Sequence, residues 1–147
     1  MSVEAIMSRT VLTIEPTTTV REAIRLLEDS EVRHLPVVDG EGGPLLGIVS
    51  DRDLREFRVP LMVEIERFAD ADRYRTDELL NTPISEVMAA DVVSVDSSES
   101  VESVIDAMIE YKVGAVPVID RHSEELVGIV SYVDVLRYAR ELIQEWD

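Results

Sequence analysis

The sequence predicts an α/β (α+β) protein built from tandem β-α-β-β-α repeats packed as a pseudo-twofold pair. Three observations carry that expectation. Residues 3–54 recur at 84–135 without an insertion, at a constant offset of 81. Between Met7–Leu54 and Met88–Val135, 14 of 48 positions are identical, among them Met7 with Met88, Val20 with Val101 and Pro36 with Pro117. A repeat of this length fixes the architecture and is settled before other signals. Within each copy, strand-like apolar runs alternate with helix-like spacing. Each copy also carries the same Gly-Ile-Val-Ser-x-x-Asp element, Gly47–Asp53 and Gly128–Asp134, which predicts two related clefts around the pseudo-twofold axis.

The elements follow in order. Val11-Leu12-Thr13-Ile14 reads as a short strand broken by Glu15-Pro16-Thr17-Thr18, and Val92-Val93-Ser94-Val95 as its counterpart, broken by Asp96-Ser97-Ser98. A helix comes next: Thr19 and Glu22 have capping-box spacing, and Val20, Ile24 and Leu27 recur at helical intervals, as do Val101, Ile105 and Met108. Leu35–Asp39 and Val116–Asp120 read as buried strands, with Pro36 and Pro117 at first positions where a missing ladder donor is tolerated. Glu41-Gly42-Gly43-Pro44 and Arg121-His122-Ser123-Glu124 read as hairpin turns into Leu45–Val49 and Leu126–Val130. A second helix is expected to start at Ser50 and at Ser131.

This places repeat 1 at 1–58, a helical insert at 59–83, and repeat 2 with a C-terminal helix at 84–147. The stretch Arg55–Pro83 has no counterpart in the second copy, and it is too apolar for a disordered linker. Leu61, Ile65 and Phe68 keep helical spacing after Pro60, and Glu78-Leu79-Leu80 precedes a break at Thr82-Pro83. One or two helices are expected there, over a cleft mouth or a dimer contact. Its carboxylates Glu64, Glu66, Asp70 and Asp72 fit a solvated acidic face better than a hard-cation site. In the last helix Val135, Ala139, Leu142 and Trp146 share a stripe, and an exposed Trp146 would mark a partner surface.

Composition narrows the function classes. At 147 residues and 46% hydrophobic, the chain is the length of one ordinary domain. No apolar run reaches the roughly 18 residues of a membrane span. Met1-Ser2-Val3-Glu4 lacks the basic flank and apolar stretch of a signal peptide, so a cytoplasmic chain with no membrane partner is expected. There is no cysteine, and His34 and His122 are far apart, which disfavours thiolate chemistry and a transition-metal site. The 31 acidic and 14 basic residues give a net charge of −17, so a DNA duplex would be repelled. Lys112 is the one lysine beside 13 arginines. Such acid-rich, lysine-poor surfaces are those of halophilic proteins, with an ordinary acidic protein as the alternative.

The element order, with His34-Leu35-Pro36-Val37-Val38-Asp39, Gly47-Ile48-Val49-Ser50-Asp51-Arg52-Asp53-Leu54 and their second-copy counterparts, resembles the cystathionine-β-synthase (CBS) domain pair. The resemblance covers about 105 of the 147 residues. The continuation through Arg55 looks like the stand-alone archaeal and bacterial pairs, including those named for acetoin utilisation. It implies two α/β halves packed sheet to sheet, a homodimer, and clefts that bind adenosine-containing nucleotides (AMP, ADP, ATP or S-adenosylmethionine). The implied role is regulatory or energy-sensing, acting on an unknown partner protein.

Taken alone, Ser-x-x-Asp also reads as a helix cap, the serine at N-cap and the aspartate at N3. As a site, its amides and hydroxyl suit a phosphate, and its carboxylate can accept from both ribose hydroxyls. The resemblance further implies that each cleft takes this element from one copy and strand edges partly from the other. Cleft one would combine Ser50, Arg52, Asp53 and Arg33 with Val113 and Ala115, offering two guanidiniums to a phosphate chain that could carry Mg²⁺. Cleft two would combine Ser131 and Asp134 with Gly114 and Val133 and borrow Val32 and His34, suiting a neutral nucleoside, a weaker ligand, or none. Arg33 and Arg52 read equally well as solvated or carboxylate-paired, and His34 more simply as a satisfied polar residue. With no nucleophile–base pair, metal constellation or glycine-rich phosphate loop, the chain is expected to be no enzyme and to require no cofactor. An oligomerisation module with empty clefts is the alternative.

Overall fold

The structure, a computed structural model, describes residues 1–57 and 76–146. The expectations placed on Pro60, Leu61, Ile65 and Phe68, and on Glu64, Glu66, Asp70 and Asp72, lie outside the described residues. The chain divides into two compact units. The repeat-1 unit comprises Leu12–Glu41 and Leu46–Asp91, and the repeat-2 unit Met1–Val11, Gly42–Leu45 and Val92–Asp147.

Each unit therefore includes the segment that precedes the other repeat in the chain. In the repeat-2 unit, Val3 N donates to Glu99 O (2.9 Å) and Val101 N to Met1 O (3.1 Å), while Ser8 and Ile129 exchange both backbone bonds at 2.9 and 3.0 Å. In the repeat-1 unit, Ile84 N donates to Thr18 O (2.8 Å) and Val20 N to Thr82 O (3.0 Å), while Ala89 and Ile48 exchange bonds at 3.0 and 3.1 Å. Ser8 and Ala89 thereby pair with strand edges, at Ile129 and Ile48, that would otherwise present free amides and carbonyls.

Glycine makes the close approach possible. A Cβ on Gly47 would stand 2.6 Å from Met88 Sδ and 2.8 Å from Ala89 O; on Gly128 it would meet Met7 Sδ at 2.6 Å and Ser8 O at 2.9 Å. The backbone oxygen cannot swing aside as a thioether can, so both positions exclude a side chain.

In the repeat-1 unit, α1 (Val20–Ser30) carries the expected capping box: Thr19 accepts from Glu22 N, and the Glu22 carboxylate accepts from Thr19 N. It buries Val20, Ala23, Ile24 and Leu27. Strands β1 (His34–Val38) and β2 (Leu45–Ser50) form a two-stranded sheet. The strand expected at 11–14 reduces to one parallel bridge, with Ile14 N donating to Pro36 O (3.0 Å) and Val38 N to Ile14 O (2.9 Å). Pro36 lies in mid-strand rather than first. The bridge uses only its carbonyl, so the absent N–H loses no ladder bond. After Ser50 the described chain turns through 51–54 into a 3₁₀ helix, Arg55–Phe57, instead of the α-helix expected to begin there. Three residues per turn aligns Leu54 with Phe57, and both are buried in the core with Leu80 and Ile84.

In the repeat-2 unit, β3 (Val95–Asp96) runs parallel to β4 (Ala115–Ile119), which pairs antiparallel with β5 (Leu126–Ser131). Ser100 caps α2 (Val101–Tyr111) by accepting from Ser103 N at 3.2 Å. This helix buries Val101 and Val104, whereas Ile105 and Met108 are half-buried. The core is mostly valine: Val3, Val95, Val104, Val116, Val118 and Val130, with Met7. The final helix, α3 (Tyr132–Trp146), buries none of its residues, and Leu136, Ile143 and Trp146 are 60, 63 and 90% exposed. No helix among the described residues is long and apolar enough to cross a membrane.

Candidate functional site

Ser50 ends β2 and Ser131 ends β5, so in each unit a paired strand delivers the serine to the sheet's end and the chain turns there. That turn is fastened to the segment entering the neighbouring strand. Asp51 N donates to Arg33 O (2.9 Å), and at the matching place Tyr132 N donates to Gly114 O (2.9 Å). The fold thus gathers Val32, Arg33 and His34 beside Ser50, Arg52 and Asp53 within the repeat-1 unit. It gathers Val113, Gly114 and Ala115 beside Ser131 and Asp134 within the repeat-2 unit. Val32, Arg33, Arg52 and Asp53 are exposed, His34 and Ser50 half-buried, and Ala115 buried.

The two Ser-x-x-Asp elements share a reciprocal bond. Ser50 N donates to Asp53 Oδ2 (2.9 Å) while Asp53 N donates to Ser50 Oγ (3.2 Å). Ser131 N donates to Asp134 Oδ2 (2.9 Å) while Asp134 N donates to Ser131 Oγ (3.3 Å). This is the capping geometry the spacing predicts. Among the described residues it caps an α-helix only at Ser131, because Ser50 leads into a turn and a 3₁₀ helix.

Beyond that they differ. At the second element Ser131 Oγ also donates to Asp134 Oδ2 (3.1 Å), and Arg137 Nη1 lies 3.5 Å from Asp134 Oδ1. Among the described residues Asp53 has neither contact. Arg137 was not singled out by the sequence reading, although an acid–arginine pair three residues apart on a helix is a legible signal. Its register counterpart in the first repeat is Glu56.

His34 adds a titratable group to the first element. Burial pushes its pKa below the ordinary value, with Asp53 opposing that shift and Arg33 reinforcing it. The neutral imidazole that results can accept or donate a hydrogen bond. Among the described residues no three or more His, Asp or Glu side chains are grouped to hold a metal ion.

Comparison with known proteins gives this geometry a family. A CBS domain-containing protein of Dictyostelium discoideum is 31% identical over 134 residues, covering 91% of this chain and 88% of the relative. The structure of a Vibrio cholerae protein described as an acetoin utilization protein is similar at a TM-score of 0.75 and 32% identity, covering 100% of this chain and 97% of that one. The CBS domain pair of protein MJ0100, solved with 5′-methylthioadenosine and S-adenosyl-L-methionine, is similar at a TM-score of 0.74 and 26% identity, over 96% and 97% of the two chains. Some relatives are longer: the chain spans 49% of a Methanocaldococcus jannaschii protein with which it is 22% identical over 138 residues. The CBS domain family model matches residues 3–59 and again 84–141, and the chain belongs to the CBS domain family as a tandem pair.

Proposed function

We propose that this chain is a non-catalytic regulatory module that binds an adenosine-containing ligand at a Ser-x-x-Asp element. The observation that carries the reading is Asp53, an exposed carboxylate with one oxygen tied to Ser50 N and the other without a partner among the described residues, beside Arg33, His34 and Arg52. A carboxylate so placed accepts from a ribose diol, and two guanidiniums nearby favour a phosphate chain, with or without Mg²⁺. Support comes from the MJ0100 pair, whose two bound molecules share the adenosine group.

Calorimetric titration of AMP, ATP and S-adenosylmethionine tests this reading. A ligand is expected to bind, and Asp53→Ala is expected to weaken it by about 1 to 3 kcal/mol. Absence of heat with all three, in high salt with Mg²⁺ present, would leave the second reading: an oligomerisation module with vacant elements. The exposed Leu136, Ile143 and Trp146 of α3 favour that alternative and, under either reading, support a homodimer. Light scattering showing a 16.5 kDa particle would remove the dimer. We further propose that the acidic composition is an adaptation to high ionic strength, so the melting temperature rises between about 0.1 and 2 M KCl as self-repulsion is screened. A flat or falling curve would remove this last proposal.

A further inference from the structure

The two Ser-x-x-Asp elements are alike in backbone and unlike in what their carboxylates have left to offer. A ribose diol presents two hydroxyl donors, and a carboxylate receives them well only if lone pairs face outward unoccupied. Asp134 spends Oδ2 on both the amide and the hydroxyl of Ser131, at 2.9 and 3.1 Å. Its Oδ1 faces Arg137 Nη1 at 3.5 Å, and the Asp134 side chain keeps 18% of its exposure. Asp53 accepts only from Ser50 N among the described residues, and it is exposed. The Ser50 hydroxyl accepts from Asp53 N without donating back to the carboxylate.

We infer that Arg137, one helical turn beyond Asp134, occupies the place of a ribose at the second element, so that the chain carries one open adenosine site, at Ser50–Asp53, and one closed by its own side chain. The inference deepens the proposed function and rests on it. The closure is written into the repeat register. The position matching Arg137 is Glu56, whose negative charge cannot approach Asp53 as a partner, so the first element has no internal competitor at that place. Substitution across the repeats reinforces the inequality: Arg33, His34 and Arg52 become Gly114, Ala115 and Val133, which removes every cationic or titratable side chain at these three places. Because Arg137 is 64% exposed, removing it should open the element without disturbing the valine core.

Titrating AMP, and in parallel S-adenosylmethionine, into the full chain measures stoichiometry directly. Wild type is expected to take one molecule per chain. Asp53→Ala should weaken that site at least about fivefold, while Asp134→Ala changes it by less than about twofold. Arg137→Ala should raise the stoichiometry to two, and adding Asp134→Ala to Arg137→Ala should return it to one. Two equal sites in wild type would overturn the inference while leaving the proposed function intact. So would a single site lost with Asp134→Ala and kept with Asp53→Ala, or Arg137→Ala still binding one molecule. No binding to wild type of AMP, of S-adenosylmethionine or of ATP titrated with Mg²⁺ would remove the proposed function, and this inference with it.

Discussion

Leu54 and Val135 hold the same place in the two repeats, one residue beyond the shared Ser-x-x-Asp, yet their surroundings differ. Leu54 is fully buried beside Phe57, Leu80 and Ile84, whereas Val135 is half-buried against a core of valines. The chain folds the same pattern twice but fills it with long side chains once and short ones once. In the repeat-1 unit the apolar faces are turned inward, α1 burying four of its residues. In the repeat-2 unit α3 buries none. A repeat therefore preserves the hydrogen-bonded frame and the glycine contacts, while packing and site chemistry are free to diverge.

The largest expected effect sharpens that contrast. Leu54→Ala should destabilise the protein by about 2–5 kcal/mol, because a fully buried side chain leaves a cavity the core cannot close. Val135→Ala should cost about 1 kcal/mol or less. Chemical denaturation of the two variants decides the point, and equal losses would show that the units pack alike. Next are the glycines, where the repeats should behave the same: Gly47→Ala and Gly128→Ala each place a Cβ under 3 Å from a backbone oxygen and should each cost about 1–3 kcal/mol. An unchanged melting temperature for either would mean that the bridging segment yields.

Smaller and opposite in sense is the aspartate pair. Asp134 caps a helix of 15 residues, so Asp134→Ala should lower stability without ligand by about 1 kcal/mol. Asp53 closes a turn, and Asp53→Ala should cost only a few tenths of that, although it is the variant expected to lose ligand. Should Asp53→Ala be the more destabilising, the first element would be the structural one. The smallest effect is the pH dependence contributed by His34. Its folded pKa lies below the ordinary 6.5, so the unfolded chain binds the proton more readily. Its contribution to stability is complete above pH 6.5 and falls away as pH drops through the window below it. Replacing His34 with Gln should flatten the stability–pH curve in that window, and an unchanged slope would place the titration elsewhere. Ala115 stands at the matching position of the second repeat, so no titratable side chain occupies that place.

Much of this was legible beforehand because it follows from local chemistry. Thr19 and Glu22 announced a capping box that forms, and Val20, Ile24 and Leu27 announced the buried stripe of α1. The serine–aspartate spacing announced reciprocal bonds that form in both copies. Other readings missed because they depend on contacts between distant segments. The strand expected at 11–14 shrinks to one bridge at Ile14, and both Pro36 and Pro117 sit inside strands, Pro36 because its neighbour needs its carbonyl and not its amide. The helix expected at Ser50 gives way, within the described residues, to a turn and a 3₁₀ helix that sets Leu54 and Phe57 on one side.

The sequence by itself determined the repeat, the α-β-β order common to both copies and the family, because periodicity, capping and turn chemistry act over a few residues and survive in both copies. The tertiary structure decided which segment completes which unit, since the partners of Met7 and Ser8 lie more than a hundred residues along the chain, at Gly128 and Ile129. It also decided which aspartate is left open, since that depends on where the side chain of Arg137 comes to rest. Spacing permits such a contact, but only the folded geometry, in which Arg137 reaches Asp134 Oδ1 and Glu56 stands in the other repeat, makes one carboxylate occupied and the other available.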